Sequence, residues 1–232
     1  MTISVGVIET GESPEHLVAD FGTYPDMGRD LLKRCLDEVE CTTISPVRGQ
    51  TLPDPCAFDA YMIMGSEFSA NDRFEWIGDL KVFVNQLAAK HIPVIGICFG
   101  HQLIAKAMGG QIARTDWVVG RRRYTRPGAD PIQAFDTLCF HQDQVTVLPR
   151  SARVILTSDE CTFAGLEYPS WPCWTIQSHP EFLETYTRRL IKHSMGHYIG
   201  ADLANQALSS LATYREELRF VRSSVRQTLL TG

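Results

Sequence analysis

The chain has 232 residues, 44% of them hydrophobic and 21% charged, with a formal net charge of −5. That balance suits one soluble domain with a substantial core, and it offers no general attraction to nucleic acid or to an anionic membrane. Met1-Thr2-Ile3 carries no basic leader, no apolar run approaches the roughly 20 residues of a membrane span, and seven cysteines without a C-x-x-C pair argue against a disulfide framework and against a zinc site. A reducing cytoplasm is the expected location.

Strand and helix signals alternate from the start. Ile3 to Ile8 reads as a short apolar strand, and Asp26 to Glu38 as a helix with Leu31, Leu32, Cys35 and Leu36 on one stripe. Strands follow at Cys41 to Ile44 and at Ala60 to Met64, the second ending at Gly65. Arg73 to Lys90 reads as a helix with Trp76, Ile77, Leu80, Val84, Leu87 and Ala88 on one face, and a strand follows over 92–97. Such a β-α-β-α order predicts a mainly parallel sheet covered by helices, with ligands outside the carboxyl ends of its strands.

From Gln111 to Trp174 the pattern changes to short β-rich pieces at Trp117 to Tyr124, Val145 to Leu148, Val154 to Thr157 and Phe163 to Glu167. Turn residues such as Pro127-Gly128 and Ser158-Asp159 separate them, which predicts a mixed or antiparallel extension of the sheet. Thr175 to Ser178 reads as a strand end and Phe182 to Tyr198 as a closing helix. Asp202 to Leu230 reads as a further helical segment with Leu203, Ala207, Leu211, Tyr214, Leu218, Val221 and Val225 three or four apart. The simplest organisation is one domain over residues 1–199 and a helical appendage over 200–232. The stripe of that appendage suits packing on the protein's own surface, a homodimer or a partner.

The chemistry concentrates in Gly96-Ile97-Cys98-Phe99-Gly100-His101-Gln102. A buried strand stops, turns sharply and becomes a helix, with one cysteine at the turn. Glycines two before and two after the cysteine remove Cβ atoms that would clash in so tight a bend. The sulfur then sits at a helix N-terminus, whose dipole favours a thiolate, by the same logic that places a serine in G-x-S-x-G hydrolases. His179-Pro180-Glu181 supplies the partners. His179 is the candidate base, and Glu181, two residues on along an extended segment, lies on the same side to hold the imidazole. Pro180 keeps His179 out of helical geometry. Glu181 also reads as a favourable acid in the first turn of the closing helix. His101, one turn into the elbow helix, reads as packing or support rather than as a base.

The Cys98 elbow with its G-H-Q continuation, the block Ser178-His179-Pro180-Glu181, and Met64-Gly65-Ser66 after the third strand together resemble the class I glutamine amidotransferase family, over roughly residues 1–195. The resemblance implies a flavodoxin-like three-layer α/β sandwich, with Cys98, His179 and Glu181 as a catalytic triad. It also implies an oxyanion hole from backbone N–H groups of the Gly65–Ser66 segment and of Phe99. Gln102 matches a position that holds the α-amino and carboxylate end of the substrate, and it also reads as a polar residue of a first helical turn. His141-Gln142-Asp143 resembles an H-x-D segment that lines the substrate pocket. Many members carry a second glycine where this chain has Ser66 or Glu67, a difference that loosens strict glutamine specificity.

The implied reaction is attack of Cys98 on a γ-glutamyl amide, a γ-glutamyl thioester, and its hydrolysis, with no metal or organic cofactor. Three uses of that chemistry differ in class. They are a stand-alone hydrolase of glutamine or γ-glutamyl compounds, a glutaminase subunit passing ammonia to a separate synthetase, and a non-enzymatic binding or regulatory protein. The chain has no G-x-x-x-x-G-K-[ST] loop for an ATP-dependent synthetase of its own. Arg121-Arg122-Arg123, with Arg114 and Arg126 nearby, reads as a solvated strand edge or as a dock for a partner or anion.

Overall fold

The computed structural model describes residues 2–128 and 134–230. In chain order the first elements are β1 (Ile3–Ile8), α1 (Glu15–Phe21), α2 (Tyr24–Cys35), β2 (Val39–Ile44), β3 (Ala60–Ile63), α3 (Glu75–Ala89), β4 (Val94–Ile97) and α4 (Phe99–Ala107). The rest are β5 (Gln111–Tyr124), β6 (Phe135–Val147), β7 (Arg153–Leu156), β8 (Gly165–Glu167), β9 (Cys173–Ile176), α5 (Glu184–Ser194), α6 (Ala201–Ser210) and α7 (Arg219–Leu230). One sheet runs β2-β1-β3-β4-β9-β8-β7. Its first five strands are parallel and its last two antiparallel, as the β-α-β-α order and the later β-rich pieces predict.

The central strands are buried on both faces, so they read as continuous apolar runs. Their side chains still alternate between two cores. Val5, Val7, Met62, Ile95, Ile97 and Trp174 face α2 and α7, where Leu31, Leu32, Val221, Val225 and Leu229 meet them. Ile8, Tyr61, Ile63 and Val94 face α3 and α4, against Leu80, Phe83, Val84, Leu103 and Ile104. Each fully buried aliphatic side chain contributes roughly 1.5–3 kcal/mol. α2 begins on a capping box: Thr23 Oγ1 accepts from Asp26 N while Asp26 Oδ2 accepts from Thr23 N.

The structure departs from the sequence-based expectation in three places. α1 is additional; seven residues with one buried apolar side chain, Leu17, give no measurable period. The strand read at Trp117 to Tyr124 begins earlier, and its partner β6 starts at Phe135 rather than Val145. β5 and β6 pair as a long antiparallel hairpin of their own, apart from the main sheet. β6 carries Asp136, Gln142, Asp143 and Gln144 among its apolar residues, which masks it as a strand. The C-terminal segment forms two helices instead of one, because its stripe serves two surfaces. Ala204 and Ala207 of α6 pack beside Val119 and Leu138 of the hairpin, whereas Val221 and Val225 of α7 cover the sheet. Phe220 of α7 stacks on Phe135 at 5.1 Å, and the Arg126 guanidinium lies 5.1 Å from the centroid of the Phe220 ring. Among the described residues, no helix is long and apolar enough to cross a membrane.

α4 approaches β3 closely enough that Gly100 N donates to Met64 O at 3.1 Å. A Cβ built on Gly100 would lie 2.3 Å from the Ile63 carbonyl oxygen, a backbone atom with no room to yield. Gly100→Ala is therefore expected to cost about 3 kcal/mol or more of stability by overpacking and backbone displacement. Gly78→Ala, in α3 with nothing within 4 Å of the added carbon, is expected to gain roughly 0.5–1 kcal/mol. Urea denaturation of the two variants beside the parent measures both.

Candidate active site

The turn after β4 places Cys98 at the N-cap of α4 with φ 50° and ψ −100°, a left-handed conformation rare for a residue with a side chain. Such strain costs of order 1–3 kcal/mol and persists where the surroundings over-determine it. Here they do: Cys98 N donates to Ile176 O at 2.9 Å, Gln102 N donates to Cys98 O at 3.0 Å, and Gly96 and Gly100 leave no space for an added Cβ. The Cys98 side chain is buried, at 4% exposure.

His179 follows β9, the neighbour of β4, and its own N–H donates to Leu138 O of the β5–β6 hairpin at 2.8 Å. Its ring stacks on Phe182 at 4.1 Å with an interplanar angle of 8°. Nδ1 bonds to Glu181 Oε1 at 2.8 Å. His179 also interacts with the Cys98 sulfur. Burial alone would lower the histidine pKa. Its interactions with Cys98 and with the Glu181 carboxylate outweigh burial and raise the pKa above the ordinary imidazole value. Cys98, His179 and Glu181 are thus buried together, with the imidazole hydrogen-bonded to the carboxylate and interacting with the sulfur.

Gly65, two residues beyond β3, packs against both Cys98 and His179. A Cβ there would lie 2.9 Å from His179 Cε1 and 3.7 Å from Cys98 Cβ. The buried Thr10 hydroxyl lies 2.9 Å from both Met64 O and Gly65 O. In a trans peptide the N–H points opposite to its carbonyl, so anchoring these two carbonyls turns the Gly65 and Ser66 N–H groups away from Thr10. Ser66 Oγ accepts from Phe68 N at 3.0 Å, which holds the turn. Phe99 is the first residue of α4, where backbone N–H groups have no intrahelical partner.

The four expected substrate contacts, Gln102, His141, Gln142 and Asp143, all line one cavity with Cys98 and His179. Gln102 is nearly fully buried, and its Nε2 donates to Asp143 O at 2.8 Å and to Gln177 Oε1 at 3.2 Å. The Asp143 carboxylate accepts from Ser69 Oγ and lies 3.4 Å from Arg114 Nε. His141 is buried with neither ring nitrogen bonded, and burial pushes its pKa down to about 3, with the His179 charge adding to the shift. It is a neutral wall of the cavity.

His101 points elsewhere. Its Nδ1 bonds Thr175 Oγ1 at 2.8 Å, and burial pushes its pKa down to about 3. Sequence reasoning did not single out Gln177, whose Nε2 donates to Cys98 Sγ at 3.6 Å. Its place directly before Ser178-His179 is the only signal that pointed to it. Of the arginine run, Arg121 binds Asp136 through two hydrogen bonds and Arg122 lies 3.0 Å from Glu160, which leaves Arg123 exposed.

The cavity holds about 840 Å³. Its inner wall carries the sulfur and imidazole, and its outer wall carries Trp117, Phe140, His193, His197 and Tyr198. A cavity of similar size, about 830 Å³, lies at the amino ends of β4 and β9, remote from Cys98, and is lined by Trp171, Trp174 and Phe220. Among the described residues, no group of three or more His, Cys, Asp or Glu side chains could hold a metal ion.

The chain is 29% identical over 127 residues to a glutamine-hydrolyzing GMP synthase subunit of Methanopyrus kandleri, covering 50% of this chain and 66% of that protein. It is 31% identical over 135 residues to gamma-glutamyl peptidase 2 of Arabidopsis thaliana, covering 54% of each. The chain thus spans less than two thirds of the length of either relative. Its fold matches that of a glutamine amidotransferase from Thermotoga maritima with a TM-score of 0.72 at 17% identity, over 99% of this chain and 97% of that one. The model of the glutamine amidotransferase class-I family matches residues 31–195, most of the chain, and the chain belongs to that family.

Proposed function

We propose that this protein is a cysteine-dependent amidohydrolase that cleaves the γ-amide of glutamine or of a γ-glutamyl compound through a thioester on Cys98. The observation that carries this reading is the burial of Cys98, His179 and Glu181 together, with the 2.8 Å Nδ1–Oε1 bond holding the imidazole that interacts with the sulfur. The thiolate attacks the amide carbon, and the tetrahedral oxyanion is met by the N–H groups of Gly65, Ser66 and Phe99. The His179 imidazolium gives its proton to the departing amine, which is ammonia when the substrate is glutamine. Neutral His179 then takes a proton from water, whose oxygen attacks the thioester carbon. The C–S bond breaks, its electron pair returns to sulfur, and glutamate leaves.

Two uses of the reaction have support. The 840 Å³ cavity, with an aromatic and imidazole-lined outer wall beyond the sulfur, has room for a leaving group larger than ammonia, which favours a stand-alone γ-glutamyl hydrolase. Similarity to a glutamine-hydrolyzing GMP synthase subunit favours the second use, ammonia supply to a separate synthetase. Seven unpaired thiols suit a reducing compartment, and we assign the chain to the cytoplasm.

Purified protein incubated with glutamine and with γ-glutamyl dipeptides separates the two uses. Turnover of dipeptides by the chain alone is the expected result. Glutamine turnover that waits for an added synthetase would establish the second use instead. Cys98→Ser is expected to reduce glutamate release at least about a thousandfold, and a parental rate in that variant would overturn the whole reading.

The raised His179 pKa sets the alkaline limit. The ring must carry its proton to give it to the leaving amine, so kcat/KM falls as pH rises through that raised value, well above the ordinary histidine range of about 6.5. The Glu181 carboxylate favours the charged ring. Glu181→Gln is therefore expected to move the alkaline fall to lower pH by about one unit and to lower kcat by roughly a hundredfold or more. A pH–rate profile of parent and variant measures both.

A further inference from the structure

We propose that Gln177 is a positioning residue that presents an N–H to the Cys98 sulfur, and that the Asp143 backbone carbonyl fixes which end of its amide does so. This rests on the hydrolytic reading above. The argument is one of hydrogen-bond polarity. A backbone carbonyl only accepts. Because Asp143 O lies 2.8 Å from Gln102, the Gln102 side chain must turn its NH₂ toward it. The second proton of that NH₂ meets Gln177 3.2 Å away, so Gln177 must offer its oxygen there. Its own NH₂ is then left facing Cys98 Sγ at 3.6 Å. Neither glutamine can flip without setting two donors or two acceptors against each other in a buried site, since Gln102 is 3% exposed and Gln177 0%. One carbonyl on the β5–β6 hairpin thereby orients a donor at the end of β9.

The consequence is specific to sulfur that carries charge. A donor stabilises the thiolate before attack and again when the thioester breaks. In that second step the water oxygen bonds to the acyl carbon, His179 takes the water proton, and the C–S electron pair returns to sulfur beside the Gln177 N–H. The thioester sulfur between these steps is neutral and a poor acceptor. Removing the donor makes sulfur a worse leaving group, while the more basic thiolate remains a good nucleophile. Loss of the N–H therefore weighs on thioester hydrolysis more than on thioester formation.

Gln177→Met keeps the length of the side chain and deletes the donor. Gln102→Leu keeps Gln177 and frees its amide to turn. The first measurement needs no substrate: the pH dependence of iodoacetamide alkylation of Cys98, followed by peptide mass spectrometry, with thermal melting confirming that each variant is folded. The alkylation midpoint is expected to rise by about one pH unit in Gln177→Met and by less in Gln102→Leu. With a γ-glutamyl substrate, kcat and KM of Gln177→Met are expected to fall together by about tenfold, with kcat/KM nearly retained and the γ-glutamyl adduct enriched in the intact mass. A midpoint equal to the parent's in folded Gln177→Met overturns the proposal. If that variant does not fold, a parental midpoint in Gln102→Leu does the same. A parent that hydrolyses no γ-glutamyl substrate while the midpoints shift as stated would sink the hydrolytic reading and leave the hydrogen-bond assignment standing.

Discussion

The close approach of α4 to β3 is the constraint from which the site follows. Gly100 lies against the Ile63 carbonyl with no space for a side chain, and its N–H is spent on Met64 O. Parallel strands that neighbour one another end at the same level, and β3, β4 and β9 are such neighbours. Pressing the helix down on β3 forces the chain to reverse within one residue after β4. That residue is Cys98, and its left-handed backbone is the form the reversal takes. The sulfur is thereby brought between Gly65 at the end of β3 and His179 beyond β9. A looser helix would relieve the strain and move the sulfur away from the imidazole.

Much of the parallel half of the fold was legible because burial on both faces leaves little choice of residue. The strands at Ile3–Ile8 and Ala60–Ile63 are almost wholly apolar, and the helix stripes at Leu31, Leu32, Leu80 and Val84 meet the sheet as their spacing implies. The β5–β6 hairpin was read only in fragments, for the opposite reason. His141, Gln142 and Asp143 line the cavity, and Gln144 bonds Thr115 Oγ1, so polar residues interrupt the alternation that marks a strand. The break between α6 and α7 had no proline or glycine to announce it. It follows from the two helices packing on different partners, a fact that resides in tertiary structure alone.

The same division runs through the site. Cys98 with its two glycines, and His179 with Glu181 two residues away, are local patterns, and local patterns can be read from a string. Gln177, Thr10 and Phe182 act across the sheet or across the ring of His179, and their importance depends on which strand ends meet. Gln102 shows how a local reading can be incomplete. It does line the cavity, yet its NH₂ is committed to Asp143 and Gln177, so whatever it offers a substrate must come from its remaining oxygen.

The cavity has two walls of different physical character, and they come from different parts of the chain. The inner wall is built on the ends of β3, β4 and β9, and its side chains are held by buried hydrogen bonds to one another, His179 to Glu181 and Gln177 to Gln102 and Cys98. Behind the His179 ring, Glu181 Oε2 is buried without a partner while its other oxygen holds the imidazole. The outer wall is built on the hairpin and the end of α5. Trp117 packs on Phe140 at 5.4 Å, while His193, His197 and Tyr198 are exposed, Tyr198 at 67%. Reacting atoms need fixed geometry, whereas selection of a leaving group needs a surface that can change shape and polarity. Substitutions on the outer wall can therefore alter what enters without disturbing the sulfur. Substitutions on the inner wall disturb the sulfur whatever enters.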